Sequence, residues 1–240
     1  MLFSTFITLT LFSSSLASPT ITSITQRSNV GCTIATQLSL PPNPANAATP
    51  LSAPATPATA VFLGVGFQNY TCSSAGTFTS AGALANLFDI SCLSSNTRVF
   101  NAIQDVAFTQ FTSSSSSLST FTPSVTGSYG YSAPLTLVGH HFFQPTATGG
   151  LAPVWDLRPF LNNPDAFVVG ARVGDIPSPD GAGASENVDW LQLSGVQGGF
   201  ADLVYRTQTR GGVAPASCTP GATAQVKYTA KYWFYDGLTV

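Results

Sequence analysis

Charge is what this chain has least of. Its 240 residues include 8 Lys and Arg against 10 Asp and Glu, 8% in all, for a net charge of −2. The basic residues form no run, which excludes the electrostatic footprint of a nucleic-acid binder or of a protein held on an anionic membrane surface. Lys227 and Lys231 are the only lysines and Glu186 the only glutamate. Without these strong helix formers, long solvent-exposed helices are not expected. The four cysteines show no C-x-x-C and no Cys/His spacing of the zinc-site kind. No serine sits in G-x-S-x-G, so the serine-hydrolase signature is missing. Gly64-Val65-Gly66 begins like a dinucleotide fingerprint, but Asn69 occupies the place of the third glycine and no helix pattern follows. Beyond residue 17 no apolar stretch is long enough for a transmembrane helix.

What the chain does have is 44% hydrophobic residues together with 21 Gly, 17 Pro and abundant Ser and Thr. That is the profile of a secreted, turn-rich β protein. Leu2–Phe12 is an apolar stretch of signal-peptide length, and Ser15-Leu16-Ala17 supplies the small residues a signal peptidase accepts. The organisation expected is a signal peptide over 1–17, a polar segment over 18–31 and one β domain over 32–240. Export to an oxidising compartment makes Cys32, Cys72, Cys92 and Cys218 two disulfides. Four cysteines allow three pairings; Cys72 with Cys92 and Cys32 with Cys218 is the preferred one, because the first closes a short loop and the second ties the two ends together.

The densest stretch runs from Phe200 to Tyr235. Tyr228, Ala230, Tyr232 and Phe234 alternate with Lys227, Thr229, Lys231, Trp233 and Tyr235, the pattern of a half-buried strand whose basic residues solvate an outer face. Gly211-Gly212 marks a turn before it. Cys32–Leu40 reads as a first strand, while the prolines between Pro41 and Thr59 exclude a central strand or helix there. Val61–Cys72 reads as a strand with Val61, Leu63, Val65 and Phe67 on one side. Gly64 and Gly66 lie on the other, where something approaches the backbone closely. Val99, Ile103 and Val106 at helical spacing behind Ser95-Asn96 predict one short helix over 96–110. In Val188–Leu193, Asp189, Leu191 and Leu193 share one strand face and Trp190 and Gln192 the other.

The candidate chemistry centres on His140 and His141. In a strand they point to opposite faces, so only one joins any given site. One of them with Asp156 and Asp189 would form a metal-ligand or acid–base set. Trp155 and Trp190 would form a stacking platform for sugar, and a pocket near His140, Trp155 and Arg206 would bind a carbohydrate or other small ligand; the structural alternative is that both tryptophans are core. Asn69-Tyr70-Thr71 is a glycosylation sequon.

Seven blocks recur in order: G-V-G-F-Q-N-Y-T-C from Gly64, G-A-L-A-N-L-F-D from Gly82, G-H-H-F-F from Gly139, P-V-W-D ending at Asp156, V-D-W-L-Q-L ending at Leu193, the run from Tyr205 to Cys218, and Y-T-A-K-Y-W-F-Y ending at Tyr235. This succession resembles the DUF3455 family of secreted fungal and bacterial proteins. The resemblance makes Gln68, His140, Trp155, Asp156, Asp189, Trp190, Arg206 and Gly211-Gly212 its motif residues and implies no established activity or cofactor. Fungal members often carry the label malate dehydrogenase, which the missing Rossmann fingerprint and the missing β-α alternation do not support. The expected fold is an all-β, single-domain antiparallel sandwich or barrel with at most one or two short helices, stapled by disulfides. The expected role is a secreted, extracellular or cell-wall-associated protein that binds a carbohydrate, a wall polysaccharide or another small molecule. The alternative is a secreted, metal-assisted hydrolase.

Overall fold

A computed structural model describes residues 32–126, 132–181 and 183–237. The signal peptide and polar segment expected over 1–31 lie outside the described residues. Among the described residues ten strands follow in chain order: β1 (Ala60–Cys72), β2 (Phe78–Asp89), β3 (Ser124–Thr126), β4 (Ser132–Pro134), β5 (Leu137–Pro145), β6 (Leu151–Asp156), β7 (Phe167–Ile176), β8 (Trp190–Gln197), β9 (Leu203–Gly211) and β10 (Thr223–Tyr235). Eight of them close into an antiparallel barrel in the order β1-β10-β9-β8-β7-β6-β5-β2, with β3 and β4 paired separately. Of the two architectures expected, the barrel is the one adopted. Closure removes the sheet edges that an open β fold would have to protect.

The alternation of β1 and β10 sets up the interior. Phe62 on β1 and Phe234 on β10 meet Phe200, with ring centroids 5.0–5.8 Å apart, and plug one end of the barrel. Further along, Gly64 and Gly66 face inward with no side chain. A Cβ at Gly64 would stand 2.4 Å from the Tyr232 ring, and one at Gly66 would stand 2.0 Å from the Leu84 carbonyl oxygen. The close approach expected at these glycines is therefore an aromatic ring at one and the neighbouring strand at the other.

The outer face of the same strands is not solvated. Helix α1 (Thr97–Ser113) starts at Asn96, whose side chain accepts from the Val99 amide, and lies across β1, β9 and β10. Its buried stripe is Phe100, Ile103, Ala107 and Phe111, whereas Val106 is 40% exposed. The helix expected from Val99, Ile103 and Val106 is present, but its apolar face is rotated toward the phenylalanines. The stripe packs on Val61, Leu63, Val65 and Trp233, forming a second core outside the barrel. Each large apolar side chain so buried contributes roughly 1.5–3 kcal/mol. As a result β10 is buried on both faces, not half-buried, and Lys231 is fully enclosed.

Two further expectations are corrected. Cys32–Leu40 is not a strand: it runs without ladder partners, with Ile34 in the outer core and Thr36 donating to the Ser94 carbonyl oxygen. The disulfides are Cys32–Cys92 and Cys72–Cys218, not Cys72–Cys92 and Cys32–Cys218. The reason lies in the β1–β2 hairpin, which puts Cys72 at its tip and Cys92 just past its base, a full strand length apart. Each cysteine instead bonds to the segment laid beside it. Pro41–Thr59 forms no strand, as its prolines require, and packs Leu51 against Ile176 and Trp190.

A second short helix, α2 (Arg158–Leu161), follows β6.

Candidate functional site

The plugged end of the barrel has an open counterpart. On the inner face of β1 the residues after the two glycines are Gln68 and Tyr70, and opposite them β8 contributes Leu191 and Leu193, preceded by Asp189. Between these strands the barrel opens into a cavity of about 670 Å³ at this end, beyond the two glycines, whose own space is taken by the Tyr232 ring and the β2 backbone. Its size is within the range of small-molecule pockets. A smaller void of about 30 Å³ is lined by His141, Trp155, Tyr232 and Arg206, and it shares Phe143, Pro153, Leu191, Leu193 and Arg206 with the main cavity.

The cavity has an apolar body and a few polar groups that converge on it. Arg206, on the inner face of β9, donates from Nε and Nη2 to the Asp189 carbonyl oxygen at 3.1 and 2.9 Å. It forms no ion pair with a described carboxylate, whereas Arg158, Arg172 and Arg210 each do. Gln68 is 6% exposed, yet its Nε2 has no hydrogen-bond partner among the described residues. Tyr70 donates its hydroxyl to the Gly212 carbonyl oxygen at 2.6 Å, and burial raises its pKa. Gly211 and Gly212 both take positive φ, 68° and 91°, which lets the chain turn over the cavity rim where a Cβ on Gly212 would crowd Gln68 and Val188. Burial, aided by the charge of Asp175, pushes the Asp189 carboxyl up, while Asp175 itself is paired with Arg172 at 2.6 Å.

The floor is aromatic and neutral. His141 stacks on Trp155 with centroids 4.7 Å apart, and its Nδ1 hydrogen-bonds the Val154 carbonyl oxygen at 2.8 Å. Complete burial lowers its pKa to about 3, so the imidazole is uncharged at neutral pH. The Tyr228 and Tyr232 hydroxyls lie 3.0 Å apart, and burial raises both pKa values.

The residues singled out in the sequence divide between two places. His141, Trp155, Asp189 and Arg206 line the cavity or its floor. His140 points outward, as the strand alternation requires, with Nδ1 3.0 Å from Asn86 Oδ1 and Phe160 packed edge-on to its ring. Asp156 is its cross-strand neighbour and is held by Arg158 at 2.8 Å, whose hydrogen bonds keep its carboxyl below the usual range. A set of one histidine with Asp156 and Asp189 is therefore not assembled, since His140 and Asp156 are outside the barrel and His141 and Asp189 inside. Among the described residues no three His, Cys, Asp or Glu side chains are grouped as a metal would need. Trp155 and Trp190 are 1% and 5% exposed and sit in different cores, Trp190 under the proline-rich segment, so they offer no paired stacking surface. Asn69 lies in β1 outside the barrel, with Oδ1 accepting from Gln225 Nε2. Tyr70, Leu191 and Leu193 were not anticipated as site residues, although the period-two pattern that sets Gly64 and Gly66 inward also sets Tyr70 inward.

A family model described as a protein of unknown function, DUF3455, matches residues 53–236. No curated protein and no solved structure matches the chain.

Proposed function

The chain belongs to the DUF3455 family, whose function is unknown, and from its cavity we propose that it is a non-catalytic, ligand-binding barrel that works in an extracellular or cell-wall setting. The observation that carries this reading is a buried amide donor, Gln68 Nε2, left without a partner in the wall of a cavity of about 670 Å³. A buried donor that lacks a partner costs about 1–3 kcal/mol, and a bound acceptor would recover it. Because the far end is plugged by Phe62, Phe200 and Phe234, the cavity suits a small molecule or the end of a chain. A polysaccharide laid across exposed tryptophans is not favoured, since Trp155 and Trp190 are buried. The two disulfides fit an oxidising compartment.

The test is a thermal-melt screen of small sugars, acids and neutral compounds against the wild type and Leu191→Trp, a substitution that fills the cavity from a half-buried position. A ligand at 100 times its Kd should add about 2.7 kcal/mol of stability to the wild type, with no shift in Leu191→Trp. A shift of equal size in Leu191→Trp would place binding elsewhere and end this reading.

A further inference from the structure

We infer that the ligand of this cavity is a small monocarboxylate with an apolar body, its carboxylate held between Arg206 and Gln68 and its body against Leu191, Leu193 and Phe143. This assignment rests on the cavity being a binding site and adds the chemical class. It starts from the imbalance between donors and acceptors on the polar side. A guanidinium offers five N–H donors and a full positive charge. Arg206 spends two nitrogens on one neutral carbonyl oxygen, that of Asp189, and meets no carboxylate in an ion pair among the described residues. Gln68 brings a second donor, Nε2, which is buried and unpartnered. Both side chains line the same cavity. Two donors, one of them cationic, call for an acceptor with negative charge, and a carboxylate offers two oxygens to such a pair.

The acids on the same wall do not fill that role. Asp175 is taken by Arg172 at 2.6 Å, and Asp189 meets Arg206 through its backbone oxygen and forms no ion pair with it; burial raises the Asp189 pKa, with the Arg206 charge opposing. One side of the lining favours a ligand with an apolar body, while Tyr70, Ser80, Thr146 and Asn187 are polar members elsewhere around it. Leu191, Leu193, Phe143, Val188 and Pro153 supply no hydrogen bond from their side chains. A sugar placed there would leave hydroxyls facing hydrocarbon, whereas an alkyl or aryl body would not. Below the carboxylate the buried His141 is neutral and so does not compete for the anion.

Isothermal titration of the full chain at neutral pH decides the matter, using hexanoate and phenylacetate as probes and hexanamide and phenylacetamide as their neutral counterparts. The acids should bind at least about tenfold more tightly than the amides, since charge-assisted hydrogen bonds are roughly twice as strong as neutral ones. Arg206→Gln should weaken the acids by about tenfold or more and leave the amides nearly unchanged, and Gln68→Leu should weaken the acids several-fold. Should Arg206→Gln fail to fold, Gln68→Leu and the acid-to-amide ratio carry the decision. Amides that bind as tightly as acids, with both blocked by Leu191→Trp, would overturn the carboxylate assignment and leave the cavity as a binding site. Acid binding untouched by Arg206→Gln or by Gln68→Leu, or no acid binding at all, would overturn it as well. Acid binding that survives Leu191→Trp would remove both readings together.

Discussion

The Nζ of Lys231 has no hydrogen-bond partner among the described residues and lies 4.3 Å from the centroid of the Phe100 ring, sealed between β10 and α1. Burial is the main cause of its depressed pKa, about 7, with Arg210 pushing the same way and Asp105 and Asp180 opposing. The unfolded chain keeps this lysine protonated up to its ordinary value of 10.5. Between pH 7 and 10.5 the unfolded state therefore binds more protons than the folded one, and stability rises with pH across that window. Below pH 7 both states hold the proton, and the folded one bears the full cost of keeping that charge out of water. Lys231→Met should raise the melting temperature at pH 6–7 and flatten its rise toward pH 10, as read by melts at a series of pH values; an unchanged slope would show that Lys231 titrates normally. His141 works in the acid range by the same rule. Its folded pKa of about 3 lies below the ordinary 6.5, so stability should fall as pH drops from about 6.5 toward 3, and His141→Phe should lessen that loss. The inward and outward placing of His140 and His141 was legible from their adjacency in a strand. The burial of Lys231 was not, because alternation only places it opposite Tyr232, and nothing in β10 itself reveals a helix lying over that face.

At the scale of the element, β1 governs the barrel because it is short of side chains where its neighbours crowd it. A methyl group on Gly66 would be pressed into the β2 backbone at Leu84 and Ala85. Gly66→Ala should therefore destabilise the fold by about 1–3 kcal/mol, the usual cost of overpacking, in chemical denaturation; a neutral result would mean that β1 and β2 separate freely there. This glycine pair was visible in the sequence as a break in an apolar strand, and the faces of β8 followed from alternation in the same way. The apolar face of α1 was harder, since Phe100 and Phe108 both compete with the Val99-Ile103-Val106 stripe and only the barrel surface selects Phe100. The disulfides could not be read from spacing at all: which cysteines meet depends on strands that are paired across the closed sheet. Cys72 and Cys218 are joined because β1 pairs with β10, bringing the Cys72 amide to the Ala222 carbonyl oxygen at 2.7 Å. This bridge spans 146 residues and Cys32–Cys92 spans 60, so loop entropy assigns each about 4–5 kcal/mol. Replacing Cys72 and Cys218 together by serine should lower the denaturation midpoint markedly. Peptide mapping of the intact protein under non-reducing conditions should recover Cys32 linked to Cys92, and a Cys72–Cys92 peptide would refute the strand arrangement.

At the scale of the molecule, one closed sheet carries three clusters of buried apolar side chains among the described residues, and a cavity. The inner core of Phe62, Phe200, Phe234 and Trp155 fills the plugged end, the outer core under α1 braces β1, β9 and β10, and the volume left over lies at the other end. The low charge and dense turns foretold an all-β body, and the motif blocks include Gln68, Asp189 and Arg206. Their convergence on one cavity could not be foretold, because it depends on barrel closure bringing β1, β8 and β9 to face one another across the interior. The most direct measurement is a crystal structure of the protein soaked with the compound that most raises its melting temperature. Density for that compound between Gln68, Arg206 and Leu191 is the predicted result. Density on the outer surface, such as the His140–Asp156 face, with only water in the cavity, would contradict it.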